Sequence, residues 1–273
     1  QIRMGDASMA KILVSQADLD RIFKRMSDDF ETLNKRQQAF AIREIGKVRG
    51  EIAEMLAEYS DDDGTIKRRR LSRILRELDV IERSIRERGE ITLETIIEES
   101  AEWTARRIAR GTGITLSQSA FDRVNENVIN YVIRRFGEDG LVLSDRIWGL
   151  SGEIRDELST VIRRSIIRGD SINSMIPQIR RVYENETWKI RRLARTESLT
   201  AFRAATGYNA AEYGVMWVQF HEGDDRSDAC VRLAEIDKHG QGKGVYKPTD
   251  TEIWMPHPNC TSYITYIIDE RWL

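Results

Sequence analysis

Residues 1–176 contain no proline. Over the same stretch apolar residues recur every three or four positions, so the chain is committed to long helices: the residue that most reliably ends one is missing. Ser15 is an N-cap candidate, with Asp18 three residues on as in a capping box. Leu19, Phe23, Met26, Phe30, Leu33, Phe40, Val48, Ile52, Met55 and Tyr59 then form one stripe, with Gln37 and Glu44 in the two skipped places. The spacing predicts a helix of about forty residues, about 60 Å long at about 1.5 Å per residue.

Asp61-Asp62-Asp63-Gly64 breaks that pattern, and Thr65 can cap the next helix. Leu71, Ile74, Leu78, Ile81 and Ile85 form a second stripe that ends at Gly89. Two stripes joined by so short a turn predict an antiparallel helical hairpin over residues 1–89. The second stripe is about half as long as the first. The hairpin is therefore expected to leave apolar surface at Leu19, Phe23, Met26 and Phe30 for a protein partner or a second copy of the chain. Near the hairpin tip, Lys67, Arg68, Arg69, Arg70 and Arg73 make the densest basic run. It reads as a solvated face, or as a contact for phosphates or an acidic protein in which Arg68, Arg69 and Arg70 take part.

Helical patterns continue from Thr92, Ser117 and Ser144, each closed by glycine at 111–113, 137 and 169. Asp170 or Ser171 caps a short helix to about Glu184, and a last helix is expected from about Thr187 to Tyr213. Beyond Gly214 the period changes. Val215–Phe220, Glu252–Met255 and Tyr263–Ile268 read as strands. The expectation is a mainly α protein: a long N-terminal helical hairpin (1–89), a helical middle region (90–169), and a small α+β C-terminal module with a short antiparallel sheet (170–273).

Forty-three Lys and Arg against forty-five Asp and Glu give a net charge of −2, which supplies no global attraction to nucleic acid or anionic membrane. No apolar run approaches the roughly 20 residues of a membrane span. Two cysteines make no disulfide framework, so synthesis in a reducing cytosol is expected.

Both cysteines, Cys230 and Cys260, and all three histidines, His221, His239 and His257, lie between Val215 and Ile268. Cys230, His257 and Cys260 supply three ligands for a tetrahedral zinc ion, with Asp225, Asp228, His221 or His239 as the fourth. The two cysteines fit a disulfide or a pair of buried thiols as well, and the sequence leaves these three readings open. A metal-dependent nuclease or other hydrolase would use His221 as general base with Asp224 and Asp225 as metal ligands. No H-E-x-x-H, G-x-S-x-G or P-loop pattern is present, and Gly240–Gly244 reads as a turn. Arg195 and Glu197 read as an ion pair tying the last helix to the strands.

Taken in order, residues 167–268 resemble the C-terminal region of phage head morphogenesis proteins, the family named after the F protein of phage Mu. The matching pieces are Arg168-Gly169-Asp170-Ser171 with Ile176 and Ile179, Leu193-Ala194-Arg195-Thr196-Glu197, Gly207-Tyr208, Gly214, and Trp217 with Asp224-Asp225-Arg226-Ser227. Cys230-Val231-Arg232-Leu233 and His257-Pro258-Asn259-Cys260 complete the set. Many members carry further cysteines where this chain has Asp228 and Thr261-Ser262, so a full four-cysteine site is not implied. The resemblance implies a minor head protein of a tailed phage or prophage, made in the bacterial cytoplasm and located in the virion. Its partners would be the portal or major capsid protein, with packaged DNA as a further contact, and its role would be assembly rather than catalysis.

Overall fold

The computed structural model describes residues 15–137, 139–224 and 227–268. Seven α-helices are described: α1 (Gln16–Gly46), α2 (Val48–Glu58), α3 (Leu71–Thr112), α4 (Gln118–Arg134), α5 (Leu143–Arg168), α6 (Ile172–Glu212) and α7 (Asp228–Glu235). Three short strands, β1 (Val218–His221), β2 (Val245–Tyr246) and β3 (Tyr263–Tyr266), form an antiparallel sheet in the order β2-β1-β3. This is the mainly α chain with a small C-terminal α+β module that the residue pattern predicts. None of the described helices is long and apolar enough to cross a membrane.

The forty-residue first helix is two helices. Lys47 interrupts it between Gly46 and Gly50, two residues of low helix propensity. Two other expected breaks are absent. Helix α3 runs unbroken through Gly89, because Gly89 is a packing position: a Cβ there would stand 2.9 Å from Ile147 Cγ2 of α5. Helix α6 joins the expected 170–184 and 187–213 helices into one of 41 residues, since nothing in Asn185-Glu186-Thr187 stops it. The strand expected at Glu252–Met255 is a 3-10 turn at Thr251–Ile253, and Val245–Tyr246 takes the edge of the sheet instead.

The chain packs as two compact units. One comprises Lys35–Ile96 and Ile133–Arg195. Here the paired residues of α1–α2 and α3 step in opposite directions: Gln37 donates to Ile96 O at 3.3 Å, Ser84 to Glu51 at 2.9 Å and Tyr59 to Glu77 at 3.2 Å. That is the antiparallel hairpin. Arg155 of α5 meets Asp79 of α3 at 2.7 Å, and Lys189 of α6 meets Glu153 of α5 at 2.7 Å. The result is a helical bundle whose core includes Ile52, Leu56, Ile74, Leu78, Ile154, Leu158 and Ile162, each fully buried. Burying each such side chain contributes about 1.5–3 kcal/mol.

The other unit comprises the described parts of Gln1–Asn34, Ile97–Val132 and Thr196–Leu273. Its centre is aromatic. Phe30 of α1 stacks on Phe202 of α6 at 4.5 Å between ring centroids and meets the edge of Trp103 of α3 at 5.3 Å. Phe23 lies 4.5 Å from the Tyr266 ring of β3. Leu19, Phe23, Met26 and Phe30, expected to face a partner, are buried here. The reason is the length of their cover: α3 continues to Thr112, and α6 and β3 add Phe202 and Tyr266.

Candidate metal centre

The sheet and α7 frame one cluster of chemically active side chains. Ser227 caps α7, its Oγ accepting the Cys230 N–H at 3.3 Å, and places Cys230 in the first turn with its side chain inward. The segment His257-Pro258-Asn259-Cys260 closes on itself, with the Cys260 N–H donating to His257 O at 3.3 Å. Proline at the second place and a positive φ of 61° at Asn259 are the signature of a tight turn that only glycine or asparagine readily completes. The turn brings His257 and Cys260 to one side, facing Cys230.

Cys230 Sγ lies 3.1 Å from His257 Nε2 and 3.4 Å from Cys260 Sγ, and the three ligand atoms lie within 4.8 Å of one another. Cys230 and Cys260 are buried free thiols, and His257 is half-buried. His257 Nδ1 donates to Pro258 O at 2.9 Å. A carbonyl can only accept, so Nδ1 carries a proton, which leaves Nε2, 3.1 Å from Cys230 Sγ, as the nitrogen that could ligate a metal. Ligating histidines are oriented in this way by an outer hydrogen bond. Tetrahedral bonds of about 2.0–2.3 Å put ligand atoms about 3.5–3.8 Å apart, close to the spacing here. The donor set therefore fits a metal ion.

Arg203, fully buried on α6, holds the backbone around the cluster. Its Nε donates to Trp254 O at 2.6 Å, and Nη1 donates to Cys260 O at 2.8 Å and to Ser262 O at 3.1 Å. The hydrogen bond from Cys230 lowers the Cys260 pKa, and the Arg203 charge adds to the effect. The Cys230 thiol is pushed up by the same hydrogen bond and by burial. Cys260 is thus the sulfur prepared to be a thiolate, the form that binds metal. Thr196 Oγ1 accepts the Asn259 N–H at 3.1 Å, tying α6 to the turn a second time. Gly207 lets Trp254 rest on the helix: a Cβ there would stand 2.5 Å from Pro248 O and 2.7 Å from Trp254 Nε1.

Comparison of the chain with protein-family models, with curated proteins and with solved structures finds no match.

The other residues considered as ligands are elsewhere. His221 Nε2 lies 2.9 Å from Thr265 Oγ1, its ring stacks on Tyr263 at 4.7 Å, and burial lowers its pKa. His239 Nε2 lies 2.7 Å from Asp250 Oδ2. Asp228 is exposed in the first turn of α7 and stands outside the group. Asp225 lies outside the described residues. Asp224, the acid a nuclease would need beside His221, is exposed. Gly240–Gly244 is a turn, with Asp237 Oδ1 accepting from the Gln241 N–H at 2.9 Å and the Gly242 N–H at 3.1 Å.

Arg203 and helix α7 escape the sequence reading. Their signals are visible in retrospect: a lone charge in the otherwise small and apolar run Leu199–Ala205, and a Ser-Asp cap directly before Cys230.

Proposed function

We propose that this chain is a head morphogenesis protein of a tailed phage or prophage, a minor component that binds the portal or inner capsid and assists procapsid assembly or DNA delivery. Within it, Cys230, His257 and Cys260 hold one structural zinc ion; two thiol sulfurs and an imidazole are the donor set zinc prefers. The metal would supply a cross-link that closes the loop between α7 and β3.

One observation supports the reading most. The short motifs that carry the resemblance are scattered over about a hundred residues, yet they meet. Thr196 touches Asn259, and Cys230 faces His257 and Cys260. Residues that serve one construction together are a better basis for the resemblance than their order alone.

A metal-dependent hydrolase is the second reading, and one feature favours it: three protein ligands leave a fourth coordination position, as catalytic zinc sites do. The base it would use, His221, is not grouped with the three ligands; its Nε2 lies 2.9 Å from Thr265 Oγ1 and its ring stacks on Tyr263.

The test is co-expression of the chain with the portal and major capsid proteins of the same phage genome. The proposal expects the chain in purified procapsids in few copies, and fewer or aberrant particles without it. Normal procapsids that never contain it, with no portal complex in solution, would contradict the proposal.

A further inference from the structure

Helix α1 and the last turn of α3 bound a cleft of about 440 Å³ within the aromatic unit. Its floor is apolar, made by Ile22 and Met26 of α1 and Gly111 of α3. Glycine is what lets the helices meet there, since a Cβ at Gly111 would stand 2.6 Å from Ile22 Cγ2. The walls are cationic, with Arg21 and Arg25 on α1 and Arg107 and Arg110 on α3. Spacings of four and three residues put each pair on one face of its helix.

The charges are ordered along this cleft. Arg107 pairs with Asp29 at 3.4 Å and lies over the Trp103 ring at 5.1 Å, while Arg21 pairs with Asp18. The helices step in opposite directions, with Asp29 beside Arg107 and Ile22 beside Gly111. Arg25 and Arg110 therefore stand at about one level, between those two contacts. Both are exposed, and among the described residues neither has a carboxylate partner. The middle of the cleft thus holds two uncompensated guanidinium groups, and an aspartate lies toward each end.

The negative end of the α3 macrodipole favours a cation at Arg110 with or without a ligand. Arg25, inside α1, has no such support. The basic run at the hairpin tip is arranged differently: Arg68 donates to Ile167 O at 2.6 Å, Arg70 pairs with Asp61, and Arg69 is exposed.

We infer that the cleft binds a compact phosphate monoester with an aromatic or aliphatic body, such as a mononucleotide. Two arginine forks on facing helices match the three terminal oxygens and the charge of about −2 of a monoester, whereas one carboxylate occupies a single fork. The body of the ligand would lie on Ile22 and Met26. A cleft of this volume has the size of a small-molecule site. Duplex nucleic acid or an extended acidic peptide would run along the cleft and meet Asp18 or Asp29, a repulsion that a ligand seated between them avoids. The inference stands on the cleft alone, and it fails or survives separately from the head-protein reading and from the metal centre.

The experiment is a phosphorus NMR titration of adenosine monophosphate and of phenyl phosphate with the full chain, inorganic phosphate serving as the bare anion. Both esters should bind, and more tightly than inorganic phosphate by roughly threefold or more, because only they reach the apolar floor. Arg25→Gln and Arg110→Gln should each weaken ester binding about tenfold through the lost charge-assisted hydrogen bonds. A control that removes two exposed arginines elsewhere, Arg191→Gln with Arg232→Gln, should change it by less than about twofold. All four positions are exposed, so the melting temperature without ligand should stay within about 2 °C of the wild type. Saturating ester should raise the melting temperature of the wild type and leave that of the combined Arg25→Gln, Arg110→Gln variant unmoved. The inference is overturned if neither ester binds at about ten millimolar, or if the control loses as much as the cleft variants. It is equally overturned if inorganic phosphate or hexaglutamate binds as tightly as the esters.

Discussion

At Arg203 a guanidinium sits fully buried and spends its donors on the carbonyls of Trp254, Cys260 and Ser262. Those three residues flank the turn that presents Cys260, so one side chain of α6 determines where the sulfur stands. Replacing it by methionine keeps much of the volume and removes every donor. Leaving buried acceptors unmade costs about 1–3 kcal/mol each, so the Arg203→Met variant should be destabilised by roughly 3 kcal/mol or more. In a chain of this size that lowers the Tm by roughly 10 °C. A melting temperature unchanged within about 2 °C would show that water or neighbouring groups take over the carbonyls. At this scale the sequence was legible for Cys230, His257 and Cys260, because few residue types bind metal. It was silent on Arg203, because one arginine among forty-three basic residues announces nothing unless its burial is known.

Among the elements, the apolar period identified nearly every helix and misplaced several ends. Gly89 reads as a terminator and acts as a contact for α5, whereas Gly169, at φ 79°, does end α5. The two glycines look alike in sequence; only the partner helix distinguishes them. The strands were harder still, since β2 has two residues and is defined by its pairing with β1 rather than by its own pattern. The larger consequence concerns α1. Phe23 and Phe30 pack on Tyr266 and Phe202, while Gln16 donates to Tyr266 O at 2.9 Å and accepts the Ile268 N–H at 2.9 Å. Trp103 of α3 and Tyr131 of α4 add further aromatic contacts, to Phe202 and Trp254. The last hundred residues therefore lack much of their own core. A fragment of residues 170–273 should unfold in urea without a cooperative transition and should bind a hydrophobic dye before denaturant is added. A sharp transition with native-like near-ultraviolet dichroism would show that the sheet and α6 suffice alone.

Across the whole molecule, two compact units are built from chain segments far apart in sequence, and α1, α3 and α6 each contribute to both. One carries the basic run near the hairpin tip and the other the cysteine–histidine cluster. The claim on which the account depends is that the three side chains drawn together by α7, the proline–asparagine turn and Arg203 hold a metal. Native mass spectrometry of the full chain, purified with its thiols reduced, measures this on the intact molecule. The account predicts one zinc ion per chain, lost in both Cys230→Ser and Cys260→Ser. A chain that stays metal-free with equimolar zinc present, while both thiols remain reduced, would contradict it.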